Sequence, residues 1–313
     1  MKTTNLFRQG SVILAPMAGY TDATFRLLCQ QGGADFCVTE MVSSMALVMN
    51  NAVTQSLLYR HQGENPCAVQ IFGHDPSVMA QSVQLDCMQD FAAVDINMGC
   101  PVKKIVGNGE GSALLENPTL AGQIISSVKK ATNKPVCVKF RLGVNDDSNV
   151  VNFAKMCCDS GADLLTVHFR TRKQMYSGQA DFATLPAIVK ASSVPVVANG
   201  DVATNQQYQR LIDMGAYAVA VGRNALGNPQ IFSQIKGEQT YVDLLTLITN
   251  HIQLMLAHKP ERVVCNEFKK HAAFYLKGIR GAKQTIVAVH TAHSVDEQLQ
   301  LITNFLQNQG ETL

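Results

Sequence analysis

Eight times along this chain a short apolar run ends in a polar or glycine-rich exit, and a helical stretch follows. That alternation restricts the fold more than any other feature. The runs are 12–15, 36–39, 67–72, 92–96, 136–140, 164–167, 194–198 and 218–221. Each is nearly continuous in apolar residues, as a parallel strand covered on both faces must be. Between them lie helix signals: Asp75-Pro76 and Asn117-Pro118 each place a capping side chain before a proline suited to the first helical position. Eight such units predict a (β/α)8 TIM barrel. An open doubly wound sheet is the alternative, but no Gly-x-Gly-x-x-Gly follows the first strand.

After Pro229 the period changes. Leu244, Leu245, Ile248, Ile252 and Met255 recur at helical spacing, and so do Val295, Leu299, Ile302 and Leu306 behind a Ser294-x-x-Glu297 capping box. The chain therefore divides into a barrel over 1–238 and a C-terminal helical-bundle domain over 239–313. A 46% hydrophobic and 16% charged composition suits a well-buried globular enzyme. No apolar run is long enough for a membrane span, and Met1 to Gly10 contains no apolar signal core, so a cytoplasmic protein is expected. Nine scattered cysteines without a Cys-x-x-Cys pair support neither a zinc site nor a thioredoxin motif, and no metal is expected.

In a barrel of this kind chemistry sits at the C-terminal ends of the strands. The polar residues there are Gln70, Asn97, Cys100, Lys139, Arg141, His168, Asn199, Asp201 and Arg223. Singly each has an ordinary reading: a snorkelling lysine, a core histidine, an αL turn at Asn199-Gly200-Asp201. Together, at successive exits, they make a candidate site. Asn97-Met98-Gly99-Cys100-Pro101 presents a thiol on a turn that proline stiffens, which suits a nucleophile, an acid, a redox centre or an inert turn residue. The glycines of 107–111 predict a mobile loop behind it. Asn199-Gly200-Asp201 and Gly222-Arg223 follow strands seven and eight, where such barrels cradle phosphate. A flavin would fit these parts; so would a phosphorylated sugar, with Lys139 as a Schiff-base lysine in an aldolase.

Ala15-Pro16-Met17-Ala18-Gly19, Gln70, Asn97-Met98-Gly99-Cys100-Pro101 with Lys103-Lys104, and Gly109-x-Gly111-Ser112-Ala113-Leu114-Leu115 resemble motifs of the tRNA-dihydrouridine synthases. So do Lys139-x-Arg141, Arg170-Thr171-Arg172, Ala198-Asn199-Gly200-Asp201 and Gly222-Arg223, with the greatest similarity to the bacterial B-type branch. The resemblance implies reduction of the uridine C5–C6 double bond in the D-loop of tRNA, with bound FMN and NADPH or NADH as reductant. It implies Cys100 as general acid and Asn97 as a uracil contact. Pro16, Met17, Ala18, Gln70, Lys139, His168, Asn199, Gly200, Asp201, Gly222 and Arg223 would hold FMN. Two positions depart from the family pattern. Phe169 stands where glycine is common, which predicts crowding beside the flavin, and Asn224 stands where a small residue is usual.

The segment 259–283 carries Lys259, Arg262, Lys269, Lys270, Lys277, Arg280 and Lys283 against Glu261 and Glu267, in a chain whose net charge is only +2. It reads as a solvated helix face or as a phosphate-contacting surface for tRNA. With Lys269 and Lys270 at its centre, that surface would continue through Lys103, Lys104, Arg141, Arg170 and Arg172 to the barrel mouth. Phe268, Phe274 and Tyr275 read as packing residues. A monomer is expected. An RNA-binding protein with a catalytically idle barrel is the rival from another class.

Overall fold

The computed structural model describes residues 5–238 and 241–310. Eight parallel strands close into a barrel in sequence order: β1 (Ser11–Leu14), β2 (Phe36–Ser43), β3 (Cys67–Phe72), β4 (Ala93–Met98), β5 (Val136–Arg141), β6 (Leu164–His168), β7 (Val196–Asn199) and β8 (Ala218–Val221). The β1–β8 pairing, Ser11 with Ala218 through Leu14 with Val221, completes the ring. This is the (β/α)8 architecture that the repeated apolar runs predict.

Strand alternation sorts the side chains into two cores. Val12, Leu14, Val69, Val94, Ile96, Val138 and Val167 face outward and pack beneath the surrounding helices. Ile13, Phe36, Val38, Ala68, Ala93, Cys137, Leu164, Val197 and Ala218 fill the lower barrel interior. Phe7 closes the bottom, with its ring 5.4 Å from Phe36 and 6.0 Å from Tyr217. One pleat above these apolar layers the inward positions become polar: Gln70, Asp95, Asn97, Lys139, Arg141, Thr166, His168 and Asn199. The apolar floor thus places a polar layer at the strands' C-terminal ends.

The cap signals hold. Asp75 accepts from Ser77 and Val78 N–H with Pro76 in the first turn, and Asn117 accepts from Leu120 N–H ahead of Pro118. Several boundaries move. β4 runs on to Met98, so Asn97 is a strand residue, and β2 runs past Glu40 to Ser43, with a register shift between Val38 and Met41. The 107–111 segment is not an open loop. It is the end of the helix Lys103–Gly107, a turn, and the start of a 3-10 helix at Gly111, with Glu110, Gly111 and Ser112 buried. The Ser294 box is half formed: Ser294 caps Glu297 N–H, while Glu297 accepts from His293 N–H, one residue upstream of the box position. A reciprocal box forms instead at Thr204 and Gln207.

The helices Leu244–Leu256, Glu261–Tyr275, Ala282–Thr291 and Val295–Gly310 share a second apolar core around Ile248, Ile252, Phe268, Val289 and Ile302. The expected division after residue 238 falls on Gln239 and Thr240, outside the described residues. These helices dock on the barrel's first helix, Ala23–Gln31, and on the loop before it. Lys259 Nζ bridges Asp22 (2.6 Å) and Glu267 (2.7 Å), His271 packs on Phe25 and Tyr20, and Phe274 meets Tyr20 edge-on. Among the described residues no helix is long and apolar enough to cross a membrane.

Candidate active site

A cavity of about 520 Å³ opens at the C-terminal ends of the strands, within the usual range for a small-molecule site. Pro16, Met17, Ala18, Gln70, Asn97, Cys100, Lys139, Arg141, His168, Arg170, Asn199, Gly200, Asp201, Gly222 and Arg223 all line it. The register explains the convergence: Gln70 pairs with Asp95, Asn97 with Lys139, Arg141 with His168, and His168 with Asn199.

Cys100 sits on the lip, half-buried. Asn97 Oδ1 accepts the backbone N–H groups of Gly99 (3.1 Å) and Cys100 (2.9 Å), and Arg141 Nε donates to the Gly99 carbonyl at 2.8 Å. Burial pushes the Cys100 thiol up, outweighing the Val102 N–H and the charges of Arg141 and Lys139. The thiol is therefore protonated at neutral pH, which suits an acid better than a nucleophile. The other partly exposed cysteines, Cys87 and Cys158, lie away from the cavity lining, and no disulfide forms among the described residues.

Across the barrel lie the exits of β7 and β8, where the sequence leads one to expect a phosphate cradle. Gly200 has φ +148°, and a Cβ there would lie 2.7 Å from that of Ala180. Asp201, at φ +33°, accepts from Arg170 Nη2, from Ala180 N–H (2.9 Å) and from Arg223 Nη2 (3.4 Å). Burial alone would raise its carboxyl, but these donors hold it below the usual range, so it is ionised. Asn199 Nδ2 ties β7 to the Ala220 carbonyl at 2.8 Å. Asn224 Nδ2 donates to the Val202 carbonyl at 2.9 Å, tying together the loops that follow β7 and β8.

His168 is driven far below its ordinary value, first by burial and then by Lys139, Arg141, Arg170 and Arg223, so the ring is neutral. Those four cations face one cavity, a field that attracts an anion. Lys139 is lowered by burial and by Arg141, with Asp95 opposing; Asp95 is raised by burial despite Gln70 and Lys139. Arg141 and Arg170 are buried and donate largely to backbone carbonyls, Arg141 to Thr171 and Met175, Arg170 to Ser177 and Gly178. They pin the 171–178 loop over the mouth.

The remaining expected residues lie outside the cavity. Lys103 and Lys104 are exposed on the helix next to the Cys100 turn, and Arg172 pairs with Glu116 at 2.5 Å. Lys269 and Lys270 lie on the helix Glu261–Tyr275, with Lys270 Nζ 5.5 Å from the centre of the Tyr20 ring at the cavity edge. Lys259 is held by its two carboxylates and leaves the basic track. The expected crowding by Phe169 does not occur: strand alternation turns its ring outward, fully buried against Phe182 at 4.8 Å. Three residues escaped the sequence reading. Asp95, a lone charge between Val94 and Ile96, stands two residues before Asn97 and so shares its face. Tyr176 reaches the mouth from a loop, with no signal in local pattern; Phe274, expected only to pack, does pack on Tyr20 and also lines the mouth, a role that local pattern does not signal.

A closed (β/α)8 barrel with cationic side chains around a cavity at the C-terminal ends of its strands is the class that the fold and site define. Residues 13–309 match the dihydrouridine synthase (Dus) family. The chain is 34% identical over 313 residues to the tRNA-dihydrouridine synthase B of Pseudomonas aeruginosa, covering 96% of this chain and 94% of that protein. It is 38% identical over 270 residues to a probable tRNA-dihydrouridine synthase of Rhizobium leguminosarum, covering 85% of each. Among solved structures, morphinone reductase aligns with a TM-score of 0.54 at 12% identity, over 78% of this chain and 94% of that one. The old yellow enzyme from Trypanosoma cruzi gives 0.54 at 10% identity, over 78% and 92%. At such identities the likeness is one of fold. The chain belongs to the dihydrouridine synthase family, on the side of its B-type members. The aldolase and idle-barrel readings are thereby set aside.

Proposed function

We propose that this protein reduces the C5–C6 double bond of specific D-loop uridines in tRNA, with FMN held in the barrel cavity, NADPH as reductant and Cys100 as general acid. The observation that carries this reading is that Cys100 at the exit of β4 lines one cavity with Gly200, Asp201 and Arg223 at the exits of β7 and β8. In an eight-stranded ring β4 and β8 stand on opposite sides.

The cavity residues fit FMN. A Cβ on Gly222 would project toward Met17 Sδ (3.6 Å) and Ala15 (3.9 Å), so glycine there keeps open a slot that both line. Arg223, with the turn at Gly200 and Asp201, would take the phosphate. Lys139 would balance negative charge on the ring, and Gln70 would meet its polar edge. FMN held there and reduced would supply hydride chemistry to C6 of the uracil. Charge then develops from C5 onto O4, and the Cys100 thiol delivers a proton to C5, leaving a thiolate that solvent reprotonates. Asn97 fixes the turn that carries the thiol and stands where a uracil contact is expected.

The target base must leave its stack to enter the cavity. Tyr176, half exposed, lies under the guanidinium groups of Arg141 and Arg223 at the mouth. The helical bundle would bind the tRNA backbone through Lys269 and Lys270, with Lys103, Lys104 and Arg172 nearer the mouth. Phe268 and Tyr275 are buried in the bundle core and so are not stacking platforms. The purified protein should be yellow and should form dihydrouridine in undermodified tRNA when given NADPH. A colourless protein that takes up no FMN would contradict this reading.

A further inference from the structure

Asp95 is a charged side chain on the inner face of a parallel strand, 3% exposed, in a position where an apolar residue would be far cheaper to bury. It is the register partner of Gln70. Gln70 Nε2 donates to Asp95 Oδ2 at 2.6 Å, and Asn97 Nδ2 donates to Gln70 Oε1 at 2.8 Å. Asn97 Oδ1 in turn accepts the N–H groups of Gly99 and Cys100 at 3.1 and 2.9 Å. The direction of this relay is fixed from both ends. A carboxylate only accepts and a backbone N–H only donates, so each carboxamide between them has a single allowed orientation.

We propose that Asp95 is a positioning residue for the proton-donor turn, acting through Gln70 and Asn97 to hold the backbone of Cys100 so that its thiol faces the cavity. The relay runs from Asp95 on β4 to Gln70 on β3, returns to Asn97 on β4 and ends on the turn, so a change at the barrel interior reaches the thiol without touching it. Removing the carboxylate leaves Gln70 Nε2 without its acceptor in a buried site. Gln70 then re-orients, Asn97 loses its partner, and the Cys100 turn loosens. Asparagine at 95 can still offer Oδ1 to Gln70 Nε2, so it should preserve the relay where alanine breaks it.

The inference rests on the proposed function only in naming Cys100 the proton donor, and its test needs no tRNA. The FMN-loaded protein is treated with iodoacetamide, and modification of the Cys100 peptide is followed by mass mapping, with Cys87 and Cys158 as internal references. Asp95→Ala should raise the Cys100 rate several-fold with the references unchanged, and Asp95→Asn should return it to near wild type. On tRNA, Asp95→Ala should lower kcat and leave KM nearly unaltered. A Cys100 rate equal to wild type in Asp95→Ala, or an Asp95→Asn protein as altered as the alanine variant, overturns the proposal. Should Asp95→Ala fail to fold, Gln70→Met cuts the same relay one link on; an unchanged Cys100 rate there overturns it equally. Failure of the wild type to reduce tRNA would refute the proposed function while leaving the relay result intact.

Discussion

Gly111 lies so close to Cys100 that a Cβ on it would stand 2.9 Å from the Cys100 carbonyl oxygen and 3.1 Å from the Cys100 Cβ. Its φ of +59° is in the left-handed region. The next residue, Ser112, donates to that carbonyl through both its N–H (3.0 Å) and its hydroxyl (2.9 Å). Asn97 holds the N–H of Cys100 and Ser112 holds its carbonyl, so the turn bearing the thiol is clasped on both sides.

Gly111→Ala should therefore cost about 1–3 kcal/mol of stability through the left-handed backbone, with further loss from the clash. It should also lower turnover by displacing Cys100. Gly109 has a similar φ of +78°, but a methyl group added there would meet nothing within 4 Å, so Gly109→Ala should lose stability without losing turnover. Denaturant melts paired with rate measurements on both variants check this; equal loss of turnover in the two would show that the close approach to Cys100 has no part in catalysis.

The pH dependence of the chemical step follows from the sign of the Cys100 shift. Burial raises the thiol, and the acid form is the competent one. Single-turnover oxidation of the reduced enzyme by tRNA should be flat through neutrality and fall as pH rises through that raised value, above the ~8.5 of a free thiol. A rate that increases over the same range would mean that a thiolate is required.

Docking of the helical bundle should be acid-sensitive. Burial alone would raise the Asp22 carboxyl, but Lys259 and the Phe25 N–H hold it well below the usual carboxylate range. Its contribution is complete above the unfolded value of ~3.9 and is lost as pH falls toward the depressed folded value. Lys259→Met should remove ~2 kcal/mol, as expected for charged hydrogen bonds in a mostly buried setting. Asp22→Asn keeps the helix cap but not the charge and should flatten the acid limb. Melts as a function of pH test both, and an unaltered acid limb in Asp22→Asn would assign the sensitivity elsewhere.

Lys269→Glu with Lys270→Glu should weaken tRNA binding and reduce the slope of log K against log salt by about one for each phosphate no longer neutralised. Reduction of the flavin by NADPH should be unaffected. Salt titrations of tRNA affinity measure this directly; identical slopes in wild type and variant would make that face merely solvated.

Much of the site was legible because a barrel converts sequence order into geometry. Once eight apolar runs are recognised, the residues at their exits must meet, and Cys100, Lys139 and Arg223 can be placed together from spacing alone. What escaped was set by longer-range packing. The clasp on Cys100 depends on a 3-10 turn folding back from 111, where glycine content suggested an open loop. Asp95 carried a usable signal, since a charge two residues before Asn97 must share its inward face. Tyr176 and Phe274 had none, because a tethered loop and a separate helix bring them to the mouth. Phe169 misled because strand-end residues alternate, so a neighbour of an inward His168 points out.

The central claim is tested most directly by incubating the FMN-bound protein and its Cys100→Ala variant with undermodified tRNA and NADPH, then mapping the D-loop by mass spectrometry. The wild type should convert a D-loop uridine to dihydrouridine, seen as the gain of two hydrogens at one position. The variant should retain its flavin and its reduction by NADPH while turning over about 10²–10⁴-fold more slowly, the range expected for loss of a general acid. Wild-type protein that binds flavin but leaves every uridine unreduced, or a Cys100→Ala variant as fast as wild type, would contradict the account.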